Sequence, residues 1–230
     1  MGQIFNPGLV VSFANQKGGV GKSTLTSIFA NYLFTEGKKQ GLNVAVIDAD
    51  DRQQTLYRKR QREGGENVES YKIIQISSSD VKDNIEFLQD SYDIILLDLP
   101  GNMMQEGVIT SYYMIDIYII PFQPNEFDID STAQFYELLQ NKIITIRKKL
   151  NYKTTVAAVM NRVKPQLLEF KQLYAQKSEL PYSVLDSYIK DSSVAYQRNI
   201  TTTGITEENE ANTALCEEIL ETIINHIKDN

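Results

Sequence analysis

A chain of 230 residues is long enough to bury one large core, and its net charge of −7 argues against polyanion binding over the whole surface. One cysteine, Cys216, and one histidine, His226, exclude an internal disulfide, a paired-cysteine zinc site and a credible Ser-His-Asp or Cys-His relay. No apolar run approaches the roughly 20 residues that cross a bilayer. The N-terminus lacks a basic start with an apolar core, and Asn6 breaks the myristoylation pattern, so a cytoplasmic protein with one domain over 1–230 is expected.

In chain order, residues 9–14 form an apolar run that predicts a buried strand, and residues 25–34 carry apolar side chains at helical spacing. Between them lies Asn15-Gln16-Lys17-Gly18-Gly19-Val20-Gly21-Lys22-Ser23-Thr24. Strand, glycine-rich turn and helix is the setting of a phosphate-binding loop. The glycines lack the Cβ atoms that keep a backbone away from a polyphosphate, and their N–H groups can point at its oxygens. The helix N-terminus adds partial positive charge, Lys22 a full one, and the Ser23 hydroxyl can ligate Mg²⁺. The ordinary loop has Gly five residues before the Gly of Gly-Lys-Ser; here that place is Gln16, and a second lysine, Lys17, follows.

A second strand, 43–48, ends in Asp48-Ala49-Asp50, which places carboxylates at a strand's C-terminal end, where open α/β sheets bind ligands. Residues 53–62 predict a helix bearing Arg58, Lys59, Arg60 and Arg62, which by themselves read as a solvated basic face. Strand 71–76 follows, then a helix capped by Ser79 or Asp80 with Val81, Ile85 and Leu88 on one face. Residues 92–98 end four apolar residues on Asp98, the pattern of a central strand that delivers one carboxylate to a phosphate edge, and Leu99-Pro100-Gly101 turns the chain. A fifth strand covers 115–121, a long helix 130–150, a sixth strand 155–160 ending on Asn161-Arg162, a helix 167–177 and an edge strand 180–185. A short helix over 191–198, a loop over 201–205 and a last helix striped by Leu215, Ile219, Ile223 and Ile227 close the chain. Together these predict an α/β fold: a mostly parallel, doubly wound sheet of about seven strands with helices on both faces. The GxGxxG of dinucleotide enzymes is missing after the first strand.

Lys17-Gly18-Gly19-Val20-Gly21-Lys22-Ser23 resembles the deviant Walker A motif of ParA/MinD-type ATPases, P-loop NTPases of the SIMIBI type, and most closely the short ParA-like partition ATPases of plasmids and mobile elements. The resemblance covers nearly the whole chain. It implies that Lys17 reaches a partner subunit's nucleotide in an ATP-dependent homodimer, and that Lys17, Lys22 and Asp50 are catalytic, Asp50 by positioning the attacking water. Residues 17–24, Gly101 and Asn161 would bind ATP, with Gly101 near the γ-phosphate and Asn161 on adenine. Ser23, Asp48 and Asp98 would hold Mg²⁺. Asp51 and Arg52 replace the family's Pro-Gln after Asp-x-Asp, and the arginine of its Arg-x-x-x-x-Ala-x-x-x-Gly stretch has no counterpart near Lys190, Asp191 and Ala195, so no base contact is expected there. In short partition ATPases an aromatic followed by an arginine stands near Tyr57-Arg58.

Within the family, one cysteine disfavours iron–sulfur carriers, and the acidic C-terminal helix disfavours anionic membranes. Between Lys142 and Lys177, nine basic side chains stand against Glu169 alone, a block able to contact DNA phosphates, with Arg147, Lys148 and Lys149 at its centre. DNA segregation with nonspecific DNA binding, nucleoid association, a ParB-like centromere-binding adaptor and no membrane partner is therefore expected; a metabolic P-loop ligase or carrier is the alternative. An N-terminal helix-turn-helix domain, as in longer partition ATPases, is not expected ahead of the first strand.

Overall fold

A computed structural model describes residues 5, 7–51, 54–103, 107–191, 201 and 210–228. Seven strands, β1 (Leu9–Phe13), β2 (Val44–Asp48), β3 (Lys72–Gln75), β4 (Ile94–Asp98), β5 (Ile117–Phe122), β6 (Thr155–Val163) and β7 (Val184–Lys190), form one sheet. Its order is β3-β2-β4-β1-β5-β6-β7, with every neighbouring pair parallel. The helices are α1 (Lys22–Tyr32), α2 (Thr55–Arg62), α3 (Val81–Gln89), α4 (Val108–Tyr112), α5 (Glu126–Leu139), α6 (Thr145–Lys149), α7 (Leu168–Ala175) and α8 (Glu210–Lys228).

Strand alternation sends successive side chains to opposite faces, and this chain fills both. Val10, Ile95, Leu97, Tyr118 and Ile120 pack with α3, α4, α5 and α7. Val11, Phe13, Leu96, Ile117 and Ile119 pack with α1, α2 and α8. The central strands β2, β4 and β5 are buried at every position, which is why each reads as an unbroken apolar run.

Several boundaries differ from the sequence expectation. The long helix starts at Glu126 instead of residue 130, because the Asn125 side chain accepts from the Asp128 N–H at 3.0 Å and caps it. It continues through a π-helical stretch, Gln140–Ile144, into α6. The seventh strand is Val184–Lys190, later than 180–185, since a short 3-10 turn at Lys177–Glu179 precedes Leu180-Pro181. Arg52 and the expected helix over 191–198, apart from Asp191, lie outside the described residues, as does the loop beyond Thr201.

Candidate nucleotide site

The phosphate-binding loop leaves β1 and enters α1 at the C-terminal edge of the sheet. Asn15 fastens its first residue: the buried amide donates to Pro121 O at 2.9 Å at the end of β5, and its Oδ1 accepts from Lys17 N at 3.0 Å. Asn15 opens the glycine-rich stretch, yet nothing in the sequence distinguishes it from a loop residue, because the partners of its amide N–H groups, Pro121 and Thr132, lie more than a hundred positions away.

Gly21 adopts φ 99, and a Cβ there would sit 2.2 Å from Asn161 Nδ2. Glycine is thus required twice, by the left-handed backbone and by the close approach of β6. Asn161 is buried and donates from Nδ2 to Val20 O at 2.7 Å, while its Oδ1 has no protein partner. Gly101 packs against the same loop: a Cβ there would lie 3.0 Å from Gln16 O and 3.2 Å from Lys22 Nζ.

Lys22 donates to Lys17 O at 3.1 Å. Burial holds its ammonium below the ordinary lysine range, against the opposing pull of Asp98 and Asp50. Across from it, the parallel register of β2 and β4 sets Asp48 directly beside Asp98. Asp48 Oδ2 accepts from Leu56 N at 3.0 Å and Tyr57 N at 2.9 Å, so a strand-end carboxylate caps α2. That cap replaces one on α2 itself, whose N-cap Gln54 is left-handed at φ 46 with no side-chain cap bond. Asp98 is hydrogen-bonded to Ser23, and burial pushes its carboxyl up to about 7, with Asp48 adding to the rise. Asp48 is likewise raised, first by burial.

These acids test whether a divalent cation fits. Both Asp48 Oδ1 and Asp98 Oδ1 are buried and without a hydrogen-bond partner. Two such oxygens on adjacent strands, beside the Ser23 hydroxyl, form a hard oxygen donor set that a cation such as Mg²⁺ would satisfy. The residues present fit the group. Asp50 stands half-buried at the rim, close enough to act electrostatically on Lys22, Asp48 and Asp98. Asp51, where the resemblance has proline, accepts from Ser78 Oγ at 2.9 Å and so straps this loop to the end of β3.

Lys17 is partly exposed yet held within the chain. Its ammonium pairs with Asp128 of α5, a carboxylate that is buried and also accepts from Gln123 N at 3.1 Å. Asp128 was not legible as a site residue, since α5 begins earlier than its apolar spacing suggests.

Residues 11–202 match the family model described as the CobQ/CobB/MinD/ParA nucleotide binding domain. The chain belongs to this family. No curated protein matches its sequence. Solved structures share the fold of this CobQ/CobB/MinD/ParA member at low identity. One is a putative plasmid partition protein from Borrelia burgdorferi bound to AMPPNP, 18% identical over 94% of this chain and 99% of that one, TM-score 0.66. Another is the MinD cell division protein of Aquifex aeolicus, 19% identical over 94% and 97%, TM-score 0.67. A third is cobyrinic acid a,c-diamide synthase from Mycobacterium smegmatis with an ATP analogue and magnesium, 15% identical over 93% and 94%, TM-score 0.67.

The three basic residues singled out for DNA separate in the fold. Arg147 is buried: it donates to Thr154 Oγ1 at 2.8 Å, to Asp116 Oδ1 at 2.6 Å and to Tyr113 O. Its guanidinium ties α6 to the starts of β5 and β6 and is not available to a phosphate. Lys148 and Lys149 are exposed, but at the edge of the sheet opposite the phosphate loop. Arg162 and Lys164, from the same basic block, are exposed on the loop's own edge, beside a cavity of about 300 Å³ that also takes in Phe170 of α7. No helix among the described residues is long and apolar enough to cross a membrane.

Proposed function

We propose that the chain is a ParA-like ATPase that binds ATP with Mg²⁺, dimerises on it, and serves segregation or maintenance of a plasmid or mobile element. The observation that carries the proposal is a phosphate loop with two lysines facing a buried acid pair whose free oxygens suit a cation. Loop amides and the α1 N-terminus would cradle the phosphates, with Lys22 neutralising charge between them. Ser23, Asp48 and Asp98 would hold Mg²⁺, and the ion, when bound, would supply charge stabilisation to the phosphates. Asp50 would orient the attacking water, Gly101 would lie near the γ-phosphate, and Asn161 would meet the base. Lys17 would exchange Asp128 for the phosphates of a partner subunit. The dimer would contact DNA without sequence preference and answer to a ParB-like centromere-binding adaptor.

A metabolic ligase is the second reading, favoured by the likeness in fold to the cobyrinic acid a,c-diamide synthase. Size-exclusion chromatography of Asp50→Ala with ATP and Mg²⁺ separates the two. A trapped dimer that retains duplex DNA on a filter at roughly 50 mM salt supports partition, since phosphate-driven binding is strong there. An Asp50→Ala chain that stays monomeric with ATP, together with wild-type ATPase activity stimulated only by a small metabolite, supports the ligase.

A further inference from the structure

α2 is short, and Leu56 is its one buried apolar residue. A helix of eight residues is well below the roughly 12–15 at which isolated helices become even marginal, so α2 must be held from outside. One end is held by Asp48, through the amides of Leu56 and Tyr57. The other end is held by Arg60, buried although it belongs to a basic run that reads as a solvated face.

Arg60 Nε donates to Thr201 Oγ1 at 3.0 Å and Nη2 to Thr201 O at 2.6 Å. Nη1 donates to Tyr71 O at 2.8 Å, and the guanidinium lies 4.7 Å from the Tyr71 ring. One turn on, Glu63 Oε2 accepts from Thr201 N at 3.1 Å and from the Thr201 hydroxyl. Arg60 of α2 and Glu63, the C-cap of that helix, thus engage the N–H, the carbonyl and the hydroxyl of one threonine 141 positions from Arg60. The Tyr71 hydroxyl lies 3.2 Å from Ser27 Oγ in α1, which joins this cluster to the helix that follows the phosphate loop.

We infer that Arg60 is a positioning residue for the metal site: its clamp on Thr201 fixes α2 so that the Leu56 and Tyr57 amides hold Asp48 Oδ2 and leave Oδ1 directed to the cation. Without the clamp, α2 shifts or frays, Asp48 loses two donors, and the carboxylate is no longer fixed in orientation. The inference rests on the proposal that a Mg²⁺–nucleotide occupies the site. Groups that orient metal-holding side chains typically cost roughly 10–100-fold in metal affinity when removed.

The test has two arms. In the first, amide hydrogen exchange of the ligand-free protein is compared for wild type and Arg60→Ala. Leu56 and Tyr57 should exchange faster in the variant while the amides of α5 keep their rates; unchanged rates at Leu56 and Tyr57 overturn the link. In the second, binding of a fluorescent ATP analogue is titrated with Mg²⁺. Arg60→Ala should need about tenfold more Mg²⁺ for half-maximal effect, with binding in EDTA unchanged and Arg60→Lys intermediate. Equal weakening with and without Mg²⁺ makes Arg60 a general structural residue and overturns the inference. Thr201→Val, which removes one hydroxyl, should shift the Mg²⁺ dependence in the same direction and decides the matter should Arg60→Ala not fold. A wild type that binds no nucleotide at all defeats the proposed function, while the exchange arm still judges Arg60.

Discussion

Lys17 and Asp128 form an ion pair within one chain, between the phosphate loop and the first turn of α5. The acid is buried and the lysine partly exposed, so the contact fixes where the ammonium rests more than it stabilises the fold. A lysine held this way can serve a second subunit only after leaving its acid.

Asp128→Asn should therefore lower the ATP concentration needed for half-dimerisation several-fold, because the resting partner of Lys17 is weakened. Lys17→Ala should keep appreciable ATP binding and lose dimerisation, whereas Lys22→Ala should lose binding itself. Analytical ultracentrifugation with an ATP titration separates these outcomes. Equal loss of binding in both lysine variants would remove the cross-subunit role.

A pH dependence follows from Asp98. Its folded-state value of about 7 lies above the ordinary 3.8. Between those values the folded chain holds the proton more tightly than the unfolded chain. The contribution to stability is thus fully present at the acid end and is lost as pH rises towards 7 in the metal-free protein. One proton limits the slope to about 1.4 kcal/mol per pH unit. Asp98→Asn cannot ionise, so its stability relative to wild type should improve steadily as pH rises through that window. Denaturant melts at a series of pH values read this, and a constant difference between the two proteins would contradict it.

For DNA, the fold redirects the expected contacts. Arg147→Glu should lower the melting temperature markedly, because removing one member of a buried pair costs roughly 3–5 kcal/mol. Lys148→Glu with Lys149→Glu should leave the melting temperature nearly unchanged. In a dimer joined at the phosphate loops these two lysines would lie at its outer ends, while Arg162 and Lys164 would flank the seam. Filter binding of the two double charge reversals, 148/149 and 162/164, tells which edge meets phosphate. Full retention by both would leave the basic block without a DNA role.

Much of the fold was legible because the central strands are buried on both faces and read as apolar runs, two of which, β2 and β4, end in aspartates. Lys17, Lys22, Ser23, Asp48 and Asp98 could be placed for the same reason: each lies within or beside such a run. What was not legible depends on partners far along the chain. Arg60 and Arg147 look like neighbouring lysines in sequence, and only Thr201, Tyr71, Asp116 and Thr154 make them interior residues. Asp128 was hidden by a helix start that one asparagine cap moved forward by a turn.

Asn161 faces the phosphate loop with its amide orientation already decided. Val20 offers a carbonyl, so Nδ2 turns one N–H towards it, which leaves the buried Oδ1 on the other side without a protein partner. That acceptor suits the exocyclic amine of adenine and opposes the O6 of guanine, acceptor against acceptor. In the proposed ATP complex, the backbone that grips the triphosphate would also orient the amide that meets the base. Competition of a labelled ATP analogue by GTP measures the choice: GTP should compete poorly against wild type and much less poorly against Asn161→Ala, and equal competition in both would place base selection elsewhere.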